Sequence, residues 1–249
     1  MEKEVIYNYD DKFRIIDYID NNKKLRALAS SEVIYSVTNR EGDKNDLVID
    51  YLKLYDLPCV ISNKIKNTLV LGAGCFTYPK YYISRYNSSM DAVELDENII
   101  KMAFDYFYLN ELYDEFDKDK ERLKIYNTDA YSFVFDCNKK YDYILFDIFD
   151  NNNTDNKFFS EEYVGRIKKL LNNDSFLGIN YILNKEKSED FKALFNILNK
   201  YFKNISFYTV NDTSTFSNND GNIFLLCSDD FIDIELDKKY LKLSFKDLI

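Results

Sequence analysis

From Asn67 onward, short apolar runs rich in β-branched and aromatic residues alternate with longer stretches that carry apolar residues at helical spacing. The short runs are Thr68 to Leu71, Met90 to Leu95, Leu123 to Tyr126, Tyr143 to Phe146 and Phe176 to Ile182. Asp96 to Phe107 and Glu161 to Leu171 read as helices, with Asp96 and Ser160 placed to cap their first turns. This alternation predicts an α/β fold, a doubly wound parallel sheet with crossover helices on its faces. After a further helical stretch, Ser188 to Phe202, the runs Ile205 to Val210 and Ile223 to Cys227 flank a polar loop and predict a closing antiparallel hairpin.

The first part of the chain has a different texture. Phe13 to Ile19 and Val33 to Val37 read as strands separated by the turn-rich Asp20-Asn21-Asn22-Lys23-Lys24. Residues 1–48 are therefore expected to form a small β-module, and residues 49–249 the main domain. Ile49 to Leu57 is expected to be a linking helix stopped by Pro58. No internal repeat is visible, and the Asn-rich stretch 151–156 reads as a loop.

Composition narrows the chemistry. Hydrophobic residues make up 46% and aromatics 17% of 249 residues, enough apolar material for one large core and too much for a disordered chain. The net charge of −10 and the lack of a basic run argue against a nucleic-acid surface and leave room for a cationic small molecule. No apolar stretch approaches the length of a membrane span, and Met1-Glu2-Lys3-Glu4 opens no signal sequence, so a cytoplasmic protein without membrane contact is expected. Four scattered cysteines give neither a disulfide framework nor a metal-binding pair. Histidine is absent altogether, which removes His-based metal sites and every Ser-His or Cys-His nucleophile. Acid–base work falls to carboxylates, Tyr or Lys, and no metal is expected.

The candidate chemistry clusters at the ends of the predicted strands. Leu69-Val70-Leu71 runs into Gly72-Ala73-Gly74-Cys75, a glycine turn that lets backbone approach a ligand, although Thr77 stands where a full dinucleotide fingerprint has a third glycine. Glu94 ends the next strand, 22 positions after Gly72, where an acid can take both hydroxyls of a ribose. Asp129 follows the third strand and suits an adenine amino group, its alternative role being a helix N-cap. Asp147 and Asp150 follow the fourth, three residues apart. Asp147 abuts Ile144-Leu145-Phe146, so partial desolvation should raise its pKa and make it a better base.

These residues resemble the polyamine aminopropyltransferases of the spermidine synthase family, from about residue 33 to 230, and most closely their divergent bacterial branch, whose glycine turn ends in Pro, here Pro79. The resemblance implies a Rossmann-like sheet of the class I methyltransferase type, closed by the hairpin, and a homodimer built through the N-terminal strands. It also implies a nucleoside site made of Gly72, Ala73, Gly74, Cys75, Glu94, Leu95, Asp129 and Ala130, with Asp147 deprotonating the attacking amine and Asp150 helping to hold it. The loop from Asn151 to Lys157 matches the family's lid in length but lacks its Pro and Gly.

Departures gather on the acceptor side. Cys75 replaces the turn's Asp, Tyr35 stands where a Gln is usual, Asp50-Tyr51-Leu52 occupies a Tyr-His-Glu segment, and Phe216 sits where a substrate-side Tyr is common. Asp50, Tyr35 and Phe216 are accordingly the remaining acceptor candidates. The leading expectation is transfer of an aminopropyl group from decarboxylated S-adenosylmethionine to an amine or other cationic acceptor. The alternatives are methyl transfer from S-adenosylmethionine itself and a catalytically silent nucleoside-binding homologue.

Overall fold

The computed structural model describes residues 3–9, 13–30, 33–148, 155–183, 188–211, 221–230, 232 and 234–248. Four strands, β1 (Lys3–Asn8), β2 (Arg14–Asp20), β3 (Lys23–Ala29) and β4 (Ile34–Asn39), form an antiparallel meander in sequence order. The stretch read as a turn at 20–24 is thus only two residues of turn followed by a strand. Asn21 and Asn22 both take positive φ, 48° and 61°, the pairing that closes a two-residue hairpin, and Asn tolerates it better than most side chains. The polar opening Lys23-Lys24 hides β3, whose later residues Leu25, Ala27 and Ala29 are buried with Ile16 and Val37 in a small core.

A 3-10 helix at Asp50–Asp56 leads into α1 (Leu57–Ile61). Pro58 does not stop a helix here. It lies in the first turn of α1, where its missing N–H has no intrahelical partner to lose, so the break falls before it and the helix after it.

The chain then alternates β5 (Asn67–Leu71), α2 (Thr77–Arg85), β6 (Ser89–Glu94), α3 (Glu97–Tyr106), α4 (Leu109–Phe116), β7 (Leu123–Asn127), α5 (Ala130–Asp136), β8 (Tyr141–Phe146), α6 (Glu161–Leu170), β9 (Leu171–Leu183) and α7 (Ser188–Tyr201). It ends with β10 (Asn204–Val210), β11 (Gly221–Ser228) and β12 (Tyr240–Leu243). The expected caps are in place: the Asp96 side chain accepts from Asn98 N–H, and Ser160 from Tyr163 N–H. The sheet order is β12-β10-β11-β9-β8-β5-β6-β7, parallel from β9 to β7 and antiparallel from β9 to β12. The architecture is the expected α/β one, with the closing hairpin β10–β11 returned against β9.

Alternation along the parallel strands buries both faces of the sheet. Val70, Met90, Ala92, Tyr143 and Leu145 join the core beneath α1 to α4, together with Phe13, Ile15 and Leu28 from the N-terminal sheet. Leu69, Leu71, Val93, Ile144 and Phe146 face the opposite core with residues of α5, α6 and α7. Strand order reverses between β5 and β8, and the crevice at such a reversal is where open α/β sheets take ligands.

Candidate active site

The carboxyl ends of β8, β5, β6 and β7 lie side by side, and each delivers one of the expected groups. After β5, Gly72 takes φ +86° and Gly74 φ +53°. A Cβ on Gly72 would stand 2.2 Å from the Asp147 carbonyl oxygen, so only glycine lets the turn press against the end of β8. Gly72 and Ala73 both donate to Val93 O at 3.0 Å, which fastens the turn to β6. Gly72 and Gly74 leave the turn with no side chain but the Ala73 methyl before Cys75.

Glu94 ends β6 and is almost fully buried. Its carboxylate accepts from Gly74 N–H at 2.8 Å and from Asp96 N–H at 3.1 Å. Burial pushes its pKa upward while these two N–H groups oppose the shift. Beyond it, Asn127 Nδ2 donates to the Glu94 and Leu95 carbonyls, which ties β7 to this edge. The Leu95 side chain, next to Glu94, is 68% exposed, an apolar group held in solvent. Asp129 caps α5, accepting from Ser132 N–H at 3.0 Å, and Ala130 is buried behind it.

Asp147 follows β8, its N–H donating to Leu71 O at 2.9 Å. Its Oδ1 accepts from Asn180 Nδ2 at 2.8 Å. The phenols of Tyr51 and Tyr55, from the 3-10 helix, face it, and burial pushes both well above the ordinary phenol range. The Tyr55 hydroxyl is buried beside the carboxylate, and its interaction with Asp147 opposes the rise in the Asp147 pKa. Desolvation raises the Asp147 pKa to about 6, against the opposing hydrogen bond from Asn180.

The remaining candidates are distributed differently. The Cys75 thiol is wholly buried in the core, so the turn offers its backbone instead, and Cys75 N–H donates to Ser36 Oγ at 3.2 Å. Tyr35, next to Ser36 on β4, packs edge-on against Phe13 with ring centroids 5.2 Å apart. Asp50 is engaged by Lys239 at 2.5 Å and Lys53 at 3.3 Å, which hold its carboxyl below the usual range. Asp150 and Phe216 lie outside the described residues. Among the described residues no group of three or more Cys, Asp or Glu gathers as a metal site.

Two site residues escaped the sequence reading. Asn180 is a polar residue inside the apolar run Phe176 to Ile182, a signal available to be read. Tyr55 carried none, because one phenol among 22 is unremarkable without the fold.

A family profile described as "Spermine/spermidine synthase domain" matches residues 53–238. The polyamine aminopropyltransferase of Alkaliphilus metalliredigens is 25% identical over 179 residues, which is 70% of this chain and 58% of that protein. That of Methanocaldococcus jannaschii is 27% identical over 176 residues, 70% of this chain and 57% of the relative. The chain thus spans somewhat under three fifths of the length of these curated relatives. A crystal structure titled as a probable spermidine synthase from Corynebacterium glutamicum superposes with a TM-score of 0.74 at 18% identity, covering 95% of this chain and 82% of that one, and so shares the fold. The profile match over most of the chain, on a fold that lines up the glycine turn, Glu94 and Asp147, makes this chain a member of the spermine/spermidine synthase family.

Proposed function

We propose that this protein is an aminopropyltransferase that takes decarboxylated S-adenosylmethionine as donor and an amine as acceptor. When bound, such a donor supplies an electrophilic carbon next to a sulfonium. Gly72, Ala73 and Gly74 would seat the nucleoside, Glu94 would exchange its backbone partners for the ribose hydroxyls, and Leu95, Asp129 and Ala130 would bracket the adenine. Asp147 takes the proton from the attacking amine, and Tyr51 and Tyr55 keep water from its carboxylate. We assign Asp150 to hold the cationic chain, place the reaction in the cytoplasm, and seat a homodimer on the N-terminal sheet, where Val5, Tyr7 and Ile34 are exposed.

The observation that carries this reading is Asp147 itself: a desolvated carboxylate raised to about 6, at the strand end that the glycine turn touches. A base titrating just below neutrality is ionised at working pH and still accepts a proton readily. Replacing Asp147 with Asn should lower kcat by about 100-fold or more while leaving affinity for 5′-methylthioadenosine within a few-fold. Unchanged turnover in Asp147→Asn would remove the assignment.

The neutral, buried Cys75 favours a second reading, methyl transfer from intact S-adenosylmethionine, because the turn presents no side-chain charge to repel the donor's carboxylate. Calorimetric titration separates the two. Preference for methylthioadenosine and the decarboxylated donor supports aminopropyl transfer, and preference for S-adenosylmethionine and S-adenosylhomocysteine supports methyl transfer.

A further inference from the structure

Asn180 on β9 and Asn222 on β11 lie on neighbouring antiparallel strands. The register sets Asn180 opposite Phe224 and Asn222 opposite Ile182, so the two amides are diagonal neighbours on one face of the sheet. They form a directed chain toward the candidate base. Asn222 Nδ2 donates to Asn180 Oδ1 at 3.0 Å, and Asn180 Nδ2 donates to Asp147 Oδ1 at 2.8 Å. The main chain of Asn222 is held in turn from β10, where Thr209 Oγ1 donates to its carbonyl at 3.1 Å. Asn180 is 2% exposed, so water does not compete for its amide.

A primary amide has a donating and an accepting end, and half a turn about its terminal bond exchanges them. An isolated Asn180 could meet Asp147 in either protonation state: its N–H fits the carboxylate, and its oxygen fits the protonated acid. Asn222 biases that choice, because turning Asn180 alone would set its N–H against the Asn222 N–H that now donates to it. Reversing the chain would require both amides to turn together and Asp147 to bring the proton.

We propose that Asn222, two strands away from the reacting carboxylate, is a positioning residue that locks the Asn180 amide with its N–H on Asp147 and so holds Asp147 in its proton-accepting form. This rests on the reading of Asp147 as the base. Among the described residues, the titratable groups that face Asp147 are phenols: Tyr51 and Tyr55 from the 3-10 helix and Tyr143 from β8. Burial holds all three above the ordinary phenol range, so they stay neutral while Asp147 titrates.

The test follows the Asp147 carboxyl by carbon-13 NMR in the full-length protein, assigned through loss of its signal in Asp147→Asn. In parallel, the pH profile of kcat/KM is recorded with decarboxylated S-adenosylmethionine and 1,4-diaminobutane. In Asn222→Ala the Asp147 midpoint should move up by about one pH unit. The acid limb of the rate profile should move with it, and the alkaline plateau should stay within about 3-fold of the parent. Asn222→Leu keeps the approximate shape without the N–H donor or any added charge, and it should shift both in the same direction if the Ala variant does not fold. An unmoved midpoint in a folded variant overturns the proposal. A moved midpoint beside an unmoved rate profile keeps the amide chain and overturns Asp147 as the base.

Discussion

Asp147 and Glu94 are both acids with raised pKa values, for the same first reason, burial, but their surroundings assign them different work. Glu94 is met by backbone N–H groups, which suits a hydrogen-bond acceptor for hydroxyls. Asp147 is met by one amide and a wall of phenols, which suits a group that gains and loses a proton. Its folded pKa stands above the unfolded 3.8, so the stability linked to it is complete below 3.8 and is lost as pH rises through about 6. Asp147→Asn should therefore raise stability by about 2–3 kcal/mol near pH 8, with the gain closing toward pH 4, as followed by thermal unfolding across pH. A gain in stability on removing the Asp147 charge would show that its desolvation is kept at a cost to folding, the mark of a functional group. For Glu94, substitution by Ala should weaken methylthioadenosine binding about 10- to 100-fold by calorimetry, the value of hydrogen bonds to a charged group.

Among elements, the turn between β5 and α2 is the most constrained. It needs positive φ at Gly72, Gly74 and Phe76 and brings Gly72 against the Asp147 carbonyl. Gly72→Ala should cost about 2–4 kcal/mol in denaturant unfolding, because backbone strain adds to a contact that cannot exist, and it should lower kcat through displacement of Asp147. The glycines themselves were legible in the sequence, as were the five parallel strands and the acids at their ends, since period, caps and strand-end position are local properties. What was not legible depends on partners. β3 hides behind Lys23-Lys24, the role of Pro58 turns on where a helix begins, and Asn180 gains meaning only when β11 brings Asn222 beside it. Cys75 was placed correctly in the turn, but the direction of its side chain is decided by the core below.

Across the whole molecule, the N-terminal sheet is fastened to the helices that cover the main sheet. Lys80, wholly buried on α2, donates to Phe107 O at 2.6 Å, Lys44 O at 2.9 Å and Thr38 Oγ1 at 3.3 Å. Burial pulls its pKa down to about 7, yet three acceptors match the three protons of an ammonium, so the geometry favours the charged form at neutral pH. Lys80→Met should destabilise the protein by about 2–3 kcal/mol in denaturant unfolding at pH 7, because three buried acceptors lose their donor at once. Arg26 adds a second tie, bound to Asp17 within the module and donating to Tyr106 O at the end of α3.

The bond from Cys75 N–H to Ser36 Oγ joins the N-terminal sheet to the glycine turn itself. Whatever tightens the turn must tighten β4, and whatever loosens β4 must loosen the turn, by equal free energies in the two directions. Saturating the turn with nucleoside should slow hydrogen exchange at the amides of β3 and β4. A donor seated on the turn would thereby carry the meander in its binding isotherm.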